Sequence, residues 1–237
     1  MIAAEGVGIR FLFDRERRLV MPTMARVRRR GTENWGLKDI SFSIRGGEGV
    51  ALLGPSGSGK TTLLRTMAQV LFPDAGRMTI RGRVASLLST DSGLIAPLTG
   101  RENAVLLGVL AGMSRSAARS ALGRVKERTA LGSAFDRPVS SYSQGMRARL
   151  GFAVADEVGA QILLLDEVHE AFDHEFRAIL ERRAHEVIAA GGIVVAAGHD
   201  HEMLSRLCGR GLWLERGRLR AYGDFEETRA AYLEAHS

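Results

Sequence analysis

Cysteine is almost absent from the 237 residues, with Cys208 standing alone. One thiol excludes an intramolecular disulfide framework and fits a reducing compartment. Such a residue is more often a small buried apolar group than a reactive one. Long apolar runs are also missing. The longest nearly apolar stretch, Ala104 to Met113, is too short to cross a bilayer, so no transmembrane segment is expected. The first residues, Met-Ile-Ala-Ala-Glu-Gly, lack the basic start and apolar core of a signal peptide. Internal repeats and low-complexity segments are absent, which excludes repeat architectures. Lysine is scarce as well. Of 33 basic residues only Lys38, Lys60 and Lys126 are lysines, a bias that reflects codon composition more than function.

What is present, 45% hydrophobic and 25% charged residues, suits one large globular α/β domain with a proper core. The formal charge of +6 is compatible with nucleic acid, with an anionic membrane surface, or with a solvated face that does nothing specific. Its densest run, Arg26 to Arg30, is followed by Gly-Thr-Glu-Asn and reads as a basic hairpin or loop. Membrane-surface proximity ranks above nucleic acid here.

The most informative stretch runs from residue 49 to 71. Val50 to Leu53 is an apolar strand. It enters a glycine-rich turn, Gly54-Pro55-Ser56-Gly57-Ser58-Gly59, and then an amphipathic helix starting near Lys60, Thr61 and Thr62. Glycine-rich loops also make ordinary strand–helix turns. With Lys and Thr in register behind a strand, however, G-x-x-x-x-G-K-[ST] is a phosphate-binding loop. Its glycines let successive N–H groups point at phosphate oxygens, and the helix start adds orphan donors. Lys60 would bring a charge to the β- and γ-phosphates, and the Thr61 hydroxyl would ligate Mg²⁺.

Elsewhere, strands are expected at Val7 to Phe13, Leu37 to Ile44, Met78 to Leu88, Gln161 to Leu165 and Ile193 to Ala197. Pro73 to Gly76 reads as a turn. A helical block covers about 100–131, with Thr99 and Glu102 spaced as a capping box. A loop, Gly132 to Tyr142, precedes a helix from Gln144 to Glu157, and another helix spans Glu175 to Ala190. The tail offers a short helix, then strands Gly211 to Glu215 and Leu219 to Tyr222 turned at Arg216-Gly217. A last helix starts at Phe225. Strands alternating with helices predict a mainly parallel sheet.

Four further features carry chemistry. The strand 162–165 ends in Asp166-Glu167, where Asp166 would hold Mg²⁺ and Glu167 would act as general base or orient water. Ser143-Gln144-Gly145-Met146, after Tyr142, offers a hydroxyl, a glycine and a helix N-terminus, a second phosphate-binding kit. Two kits in one chain suggest a dimer that completes its site in trans. His199 follows an apolar strand ending in Gly198, and Asp173 lies a few residues past the Asp-Glu pair.

In this order the motifs resemble the ATP-binding subunits of ABC transporters, over nearly the whole chain. Phosphate loop, signature loop (Tyr142 to Met146), Asp166-Glu167, D-loop (Ala171-Phe172-Asp173) and switch His199 follow in sequence. Trp35 to Phe42, Leu98 to Asn103, the Tyr-Ser-x-Gly-Met form of the signature, Arg206-Leu207-Cys208 and Leu212-Trp213-Leu214 resemble the subfamily that exports polysaccharides, O-antigens and teichoic acids. The resemblance implies an ATPase core with an N-terminal antiparallel β subdomain and a helical subdomain inserted at about 95–158. It also implies a homodimer closing over two ATP molecules, each held by one copy's phosphate loop and the other's Ser143 and Gly145. Glu167 would activate water, His199 would sense the γ-phosphate, and Asp173 would couple the sites. Phe11 would stack on adenine, with Phe13 and Trp35 as rivals. Two copies of a separate membrane permease would be moved through a groove on the helical subdomain, at the cytoplasmic face of the inner membrane.

Two features depart from the pattern. Ser89, Thr90 and Asp91 stand where the family usually has a glutamine, and the chain ends at Ser237 without room for a C-terminal carbohydrate-binding domain. The competing functions are a nucleic-acid-associated ABC ATPase and a non-hydrolysing, nucleotide-gated regulatory module. The first usually carries paired ATPase domains or a long coiled coil. The second has no need of Lys60, Asp166, Glu167 and His199 together.

Overall fold

The computed structural model describes residues 1–11, 34–87, 93–166 and 173–236. The chain begins with β1 (Ile2–Phe11), β2 (Asn34–Ile44) and β3 (Glu48–Leu53), and the glycine loop leads from β3 into α1 (Lys60–Met67). β4 (Ala75–Ile80) and β5 (Val84–Leu87) come next. The helices α2 (Gly100–Leu110), α3 (Arg115–Ser120), α4 (Leu122–Thr129) and α5 (Gln144–Glu157) follow. The remainder alternates: β6 (Ile162–Asp166), α6 (His174–Ala189), β7 (Ile193–Ala197), α7 (His201–Leu207), β8 (Arg210–Glu215), β9 (Arg218–Asp224) and α8 (Phe225–Glu234).

Two sheets result. β2-β1-β4 is antiparallel, and β5-β6-β7-β3-β8-β9 is parallel except for β9. The expected α/β class, with its mainly parallel sheet and N-terminal antiparallel unit, is what the chain adopts. Strand β6 shows why its sequence is continuously apolar. Ile162 and Leu164 pack with α1 and the antiparallel sheet, while Leu163 and Leu165 pack with α5 and α6. Both faces are covered, as a parallel sheet requires. A third cluster, built on Phe135, Leu150 and Val154, holds α2, α4 and α5 together.

Four local expectations need correction. The strand expected over 78–88 is two strands in different sheets. Met78 to Ile80 ends β4, and Val84 to Leu87 forms β5. The chain crosses between sheets at Gly82, whose φ of 132° suits glycine. Ala75 and Gly76 belong to β4 rather than to a turn, since a Cβ at Gly76 would lie 2.3 Å from the carbonyl oxygens of Glu5 and Gly6 on β1. The stretch 132–142 contains two 3-10 turns, Gly132–Asp136 and Val139–Ser141. The first strand also starts earlier than expected, because Ile2 and Ala4 are buried. The capping box forms, with Glu102 N–H donating to Thr99 Oγ1 and Thr99 N–H donating to Glu102. Residues Arg26 to Arg30, Ser89 to Asp91, Phe13, Glu167, Ala171 and Phe172 lie outside the described residues.

The end of α5 is tied electrostatically to α4 and α6. The Glu157 carboxylate, 9% exposed, accepts from Arg124 Nε at 3.0 Å and Arg128 Nη1 at 2.7 Å. Asp156 pairs with Arg128 and with Arg183 of α6. Arg124 first, then Arg128, hold the Glu157 carboxyl below its ordinary range. A carboxyl depressed in the folded state stabilises above the unfolded value and loses that contribution as pH falls through the folded value. Glu157→Gln is therefore expected to lower the thermal midpoint by ~2–4 °C at pH 7. The gap to wild type should close as the pH drops below the usual carboxylate range in a calorimetric series.

Candidate functional site

Strand β3 delivers a fully buried Val50 to Leu53 into the loop. Two glycines there are required by close approach. A Cβ at Gly54 would stand 2.1 Å from the Leu214 carbonyl oxygen, and one at Gly59 would stand 2.9 Å from the Gly36 carbonyl oxygen. Gly59 is the N-cap of α1 with φ of 110° and offers no side-chain acceptor, so the first amides of the helix face the loop. Lys60 is buried, and its Nζ donates to the carbonyls of Gly54 at 2.7 Å and Pro55 at 3.2 Å. The Ser58 hydroxyl is buried and has no hydrogen-bond partner among the described residues. A buried hydroxyl without a partner is costly unless a ligand or water completes it.

Ser56, Gly57, Ser58, Gly59, Lys60, Thr61 and Thr62 line a groove of about 590 Å³, closed on the other side by Phe11, Trp35 and Gly36. Trp35 is already engaged: Arg10 and Lys38 lie over its ring at 5.4 and 5.9 Å, and it packs on Gly8. Phe11 is 37% exposed. Asp166 and His199 do not line this groove, but they stand on the same edge of the sheet. β6, β7 and β3 are parallel neighbours, so Asp166 at the end of β6 and His199 just past β7 open beside the loop that follows β3. Asp166 is nearly buried and His199 is exposed.

A second groove, about 610 Å³, is lined by Ser143, Gln144, Gly145, Met146, Arg149 and Asp173, together with Ala130 and Leu131. Ser143 caps α5, its hydroxyl accepting from Met146 N–H at 3.2 Å. Asp173 caps α6 by accepting from Phe176 N–H at 3.0 Å and also pairs with Arg149. Behind the loop, buried Tyr142 donates to the Ala134 carbonyl at 2.8 Å. Burial pushes its phenol above the ordinary value. One chain thus carries a loop with a lysine and a separate loop without one, in two grooves. Sequence reasoning did not single out Arg149's pairing with Asp173, nor the wall formed by Ala130 and Leu131. Arg149 was visible only as part of the signature stretch. A third, smaller groove of about 230 Å³ lies between β5, α2 and α5, with Leu87, Leu107, Leu110, Val154 and Arg147 in its lining.

A model described as ABC transporter matches residues 37–170. The O-antigen export system ATP-binding protein RfbB of Klebsiella pneumoniae is 37% identical over 206 residues, 87% of this chain and 84% of that protein. The chain belongs to the ABC transporter family. Other relatives of this ABC transporter chain include the O-antigen export system ATP-binding protein RfbE of Yersinia enterocolitica, 38% identical over 76% of each chain. The teichoic acids export ATP-binding protein TagH of Listeria innocua is 35% identical over 84% of this chain and 59% of its own length. Among solved structures, the ATP-binding cassette MJ0796, a dimer bound to ADP and Pi, superposes with a TM-score of 0.76 at 21% identity. That match covers 95% of this chain and 99% of the other, and it marks a shared fold.

In this ABC transporter chain Tyr142 anchors the second groove. Tyr142→Phe removes one of two donors to the Ala134 carbonyl, which keeps the Arg137 N–H at 2.9 Å, and equilibrium urea unfolding should show a loss of about 0.5–1.5 kcal/mol.

Proposed function

We propose that the chain is the ATP-hydrolysing subunit of an exporter that moves a lipid-linked polysaccharide or related glycan through a separate membrane permease. The observation that carries the nucleotide reading is the loop itself: a buried Lys60, a Ser58 hydroxyl without a partner among the described residues, and backbone that only glycine can supply at Gly54 and Gly59. These fit a triphosphate, which would accept from Lys60, Ser58 and the amides that open α1. Phe11 would stack on adenine, since the ring of Trp35 is held by Arg10 and Lys38. The donor set of the Thr61 hydroxyl and Asp166 suits Mg²⁺, which when bound would neutralise charge on the β- and γ-phosphates.

The second groove supports a head-to-tail homodimer. Ser143, Gln144, Gly145 and Met146 present a helix N-terminus and a hydroxyl but no lysine, so they complete a site rather than make one. Asp173 stands in the same groove and would couple the two sites. Glu167, adjoining Asp166, would take the proton of the attacking water, and His199 would contact the γ-phosphate. Among the described residues no helix is long and apolar enough to cross a membrane. Two copies of a permease would supply the span. The groove around Arg147 is where each would dock, placing the subunit at the cytoplasmic face of the inner membrane. Export of a glycan rests on the O-antigen and teichoic acid relatives.

The test compares purified wild type with Glu167→Gln by steady-state ATP hydrolysis and by size-exclusion chromatography in ATP and Mg²⁺. The variant should lose hydrolysis by ~100-fold or more and elute as an ATP-bound dimer, since binding survives loss of the base. Equal hydrolysis by both proteins would remove Glu167 from the role of base. Lys60→Ala should abolish both hydrolysis and dimerisation, because it removes the charge that meets the phosphates.

A further inference from the structure

Three glycines far apart in sequence meet beside the phosphate loop. Across the β1–β2 ladder, Ile9 pairs with Leu37 and Arg10 pairs with Trp35. One step on β1 therefore matches two on β2, and Gly36 is the extra residue of a β-bulge. Bulges bend a strand and leave one residue outside the ladder. Gly36 is crowded on two sides. A Cβ there would lie 2.3 Å from Cε2 of Phe11, so the Phe11 ring sits directly on this residue. The Gly36 carbonyl oxygen lies 2.6 Å from where a Cβ would be at Gly217 and 2.9 Å from where one would be at Gly59.

Gly217 is the tip of the β8–β9 hairpin, with φ of 72°, and the preceding Arg216 has φ of 49°. Its N–H donates to the Ser58 carbonyl at 2.9 Å, and its carbonyl accepts from Lys38 N–H at 2.7 Å. One peptide tip is therefore bonded to the phosphate loop on one side and to β2 on the other. Gly36, Gly59 and Gly217 meet through their backbone atoms. At Gly59 the Leu37 Cδ2 stands as close as the Gly36 carbonyl, 2.9 Å from where a Cβ would be, while the Gly36–Gly217 approach is backbone on backbone, so the separation of these segments is set by van der Waals contact.

We propose that Gly36 and Gly217 are positioning residues that fix the Phe11 ring at a set distance from the phosphate loop, and that this spacing determines how much the base adds to nucleotide binding. The inference rests on the nucleotide site proposed above and adds a device to it. Base and triphosphate are joined by a ribose of fixed reach. Stacking counts only if the ring stands where that reach delivers the base.

Calorimetric titration of the full chain with ATP and with inorganic tripolyphosphate separates the two ends of the ligand. Gly36→Ala pushes the Phe11 ring away, so ATP affinity should fall about tenfold, the size of one base–aromatic stacking contact. Tripolyphosphate affinity should change less than about twofold. Phe11→Ala should give the same pattern, and adding Gly36→Ala to it should cost nothing further, as expected of residues acting through one contact. Gly217→Ala should weaken both ligands, because a Cβ there meets the Gly36 carbonyl at 2.6 Å and displaces the hairpin tip whose N–H holds the loop at Ser58. Equal losses of ATP and tripolyphosphate in Gly36→Ala would overturn the proposal, as would additive losses in the double variant. Should Gly217→Ala fail to fold, the Gly36 and Phe11 cycle decides alone. If wild type binds neither ligand, the nucleotide reading itself fails and takes this proposal with it.

Discussion

The parallel pairing of β3 with β7 on one side and β8 on the other is the constraint from which the rest of the site follows. Glu48 to Leu52 run beside Ile193 to Ala197, and Val50 to Leu53 run beside Arg210 to Trp213. β6 extends the same alignment, pairing Ile162 to Asp166 with Ile193 to Ala197. Parallel neighbours bring all their carboxyl ends to one edge, so Gly54, Asp166 and His199 emerge together although more than a hundred residues separate the first from the other two. The alignment holds because both faces of these strands are covered by apolar layers. A register slip of one residue would turn every inward side chain to the wrong layer.

The second groove is joined to the central sheet through α5. Its N-cap Ser143 and, in the second turn, Arg149 line the second groove, while Ala148 and Phe152 pack with the central sheet's cluster and Leu150, Ala153 and Val154 pack with the helical one. α5 is fastened to α6 along its length: Arg149 to Asp173, Phe152 edge-on to Phe176 with centroids 5.4 Å apart, and Asp156 to Arg183. A helix buried on two faces and pinned at both ends moves with its neighbours or not at all. Any displacement of the second groove is therefore transmitted to α6.

Close backbone contact plays the corresponding role at the first groove. Leu214 O beneath Gly54 and Gly36 O beneath Gly59 leave no room for a side chain, so the curl of the loop is imposed from β8 and β2 as much as by its own glycines. The loop's shape is thus shared between local chain preference and two distant strands. The buried Lys60 and Ser58 inherit their positions from that shared frame.

The amino-acid sequence by itself determined the features whose cause is local. Gly54 to Thr62 are contiguous, so strand, glycine turn and helix start could be read from spacing alone. Ile162 to Asp166 announced a strand buried on both faces, and Thr99 with Glu102 announced a helix start. The α/β class and the mainly parallel sheet followed from the alternation of such segments. Only the tertiary structure decided the rest. The run from Met78 to Leu87 is apolar enough for one strand, and nothing local says that Gly82 sends its halves to different sheets. Phe11 and Trp35 are equivalent as aromatics until Arg10, Lys38 and Gly8 are found around one of them. Gly36 fell just outside the strand expected from Leu37, and Gly217 read as an ordinary turn residue, because what makes them matter is the approach of backbones 181 residues apart. Propensity and periodicity describe what a segment prefers, whereas these contacts depend on which segments the packed core brings together.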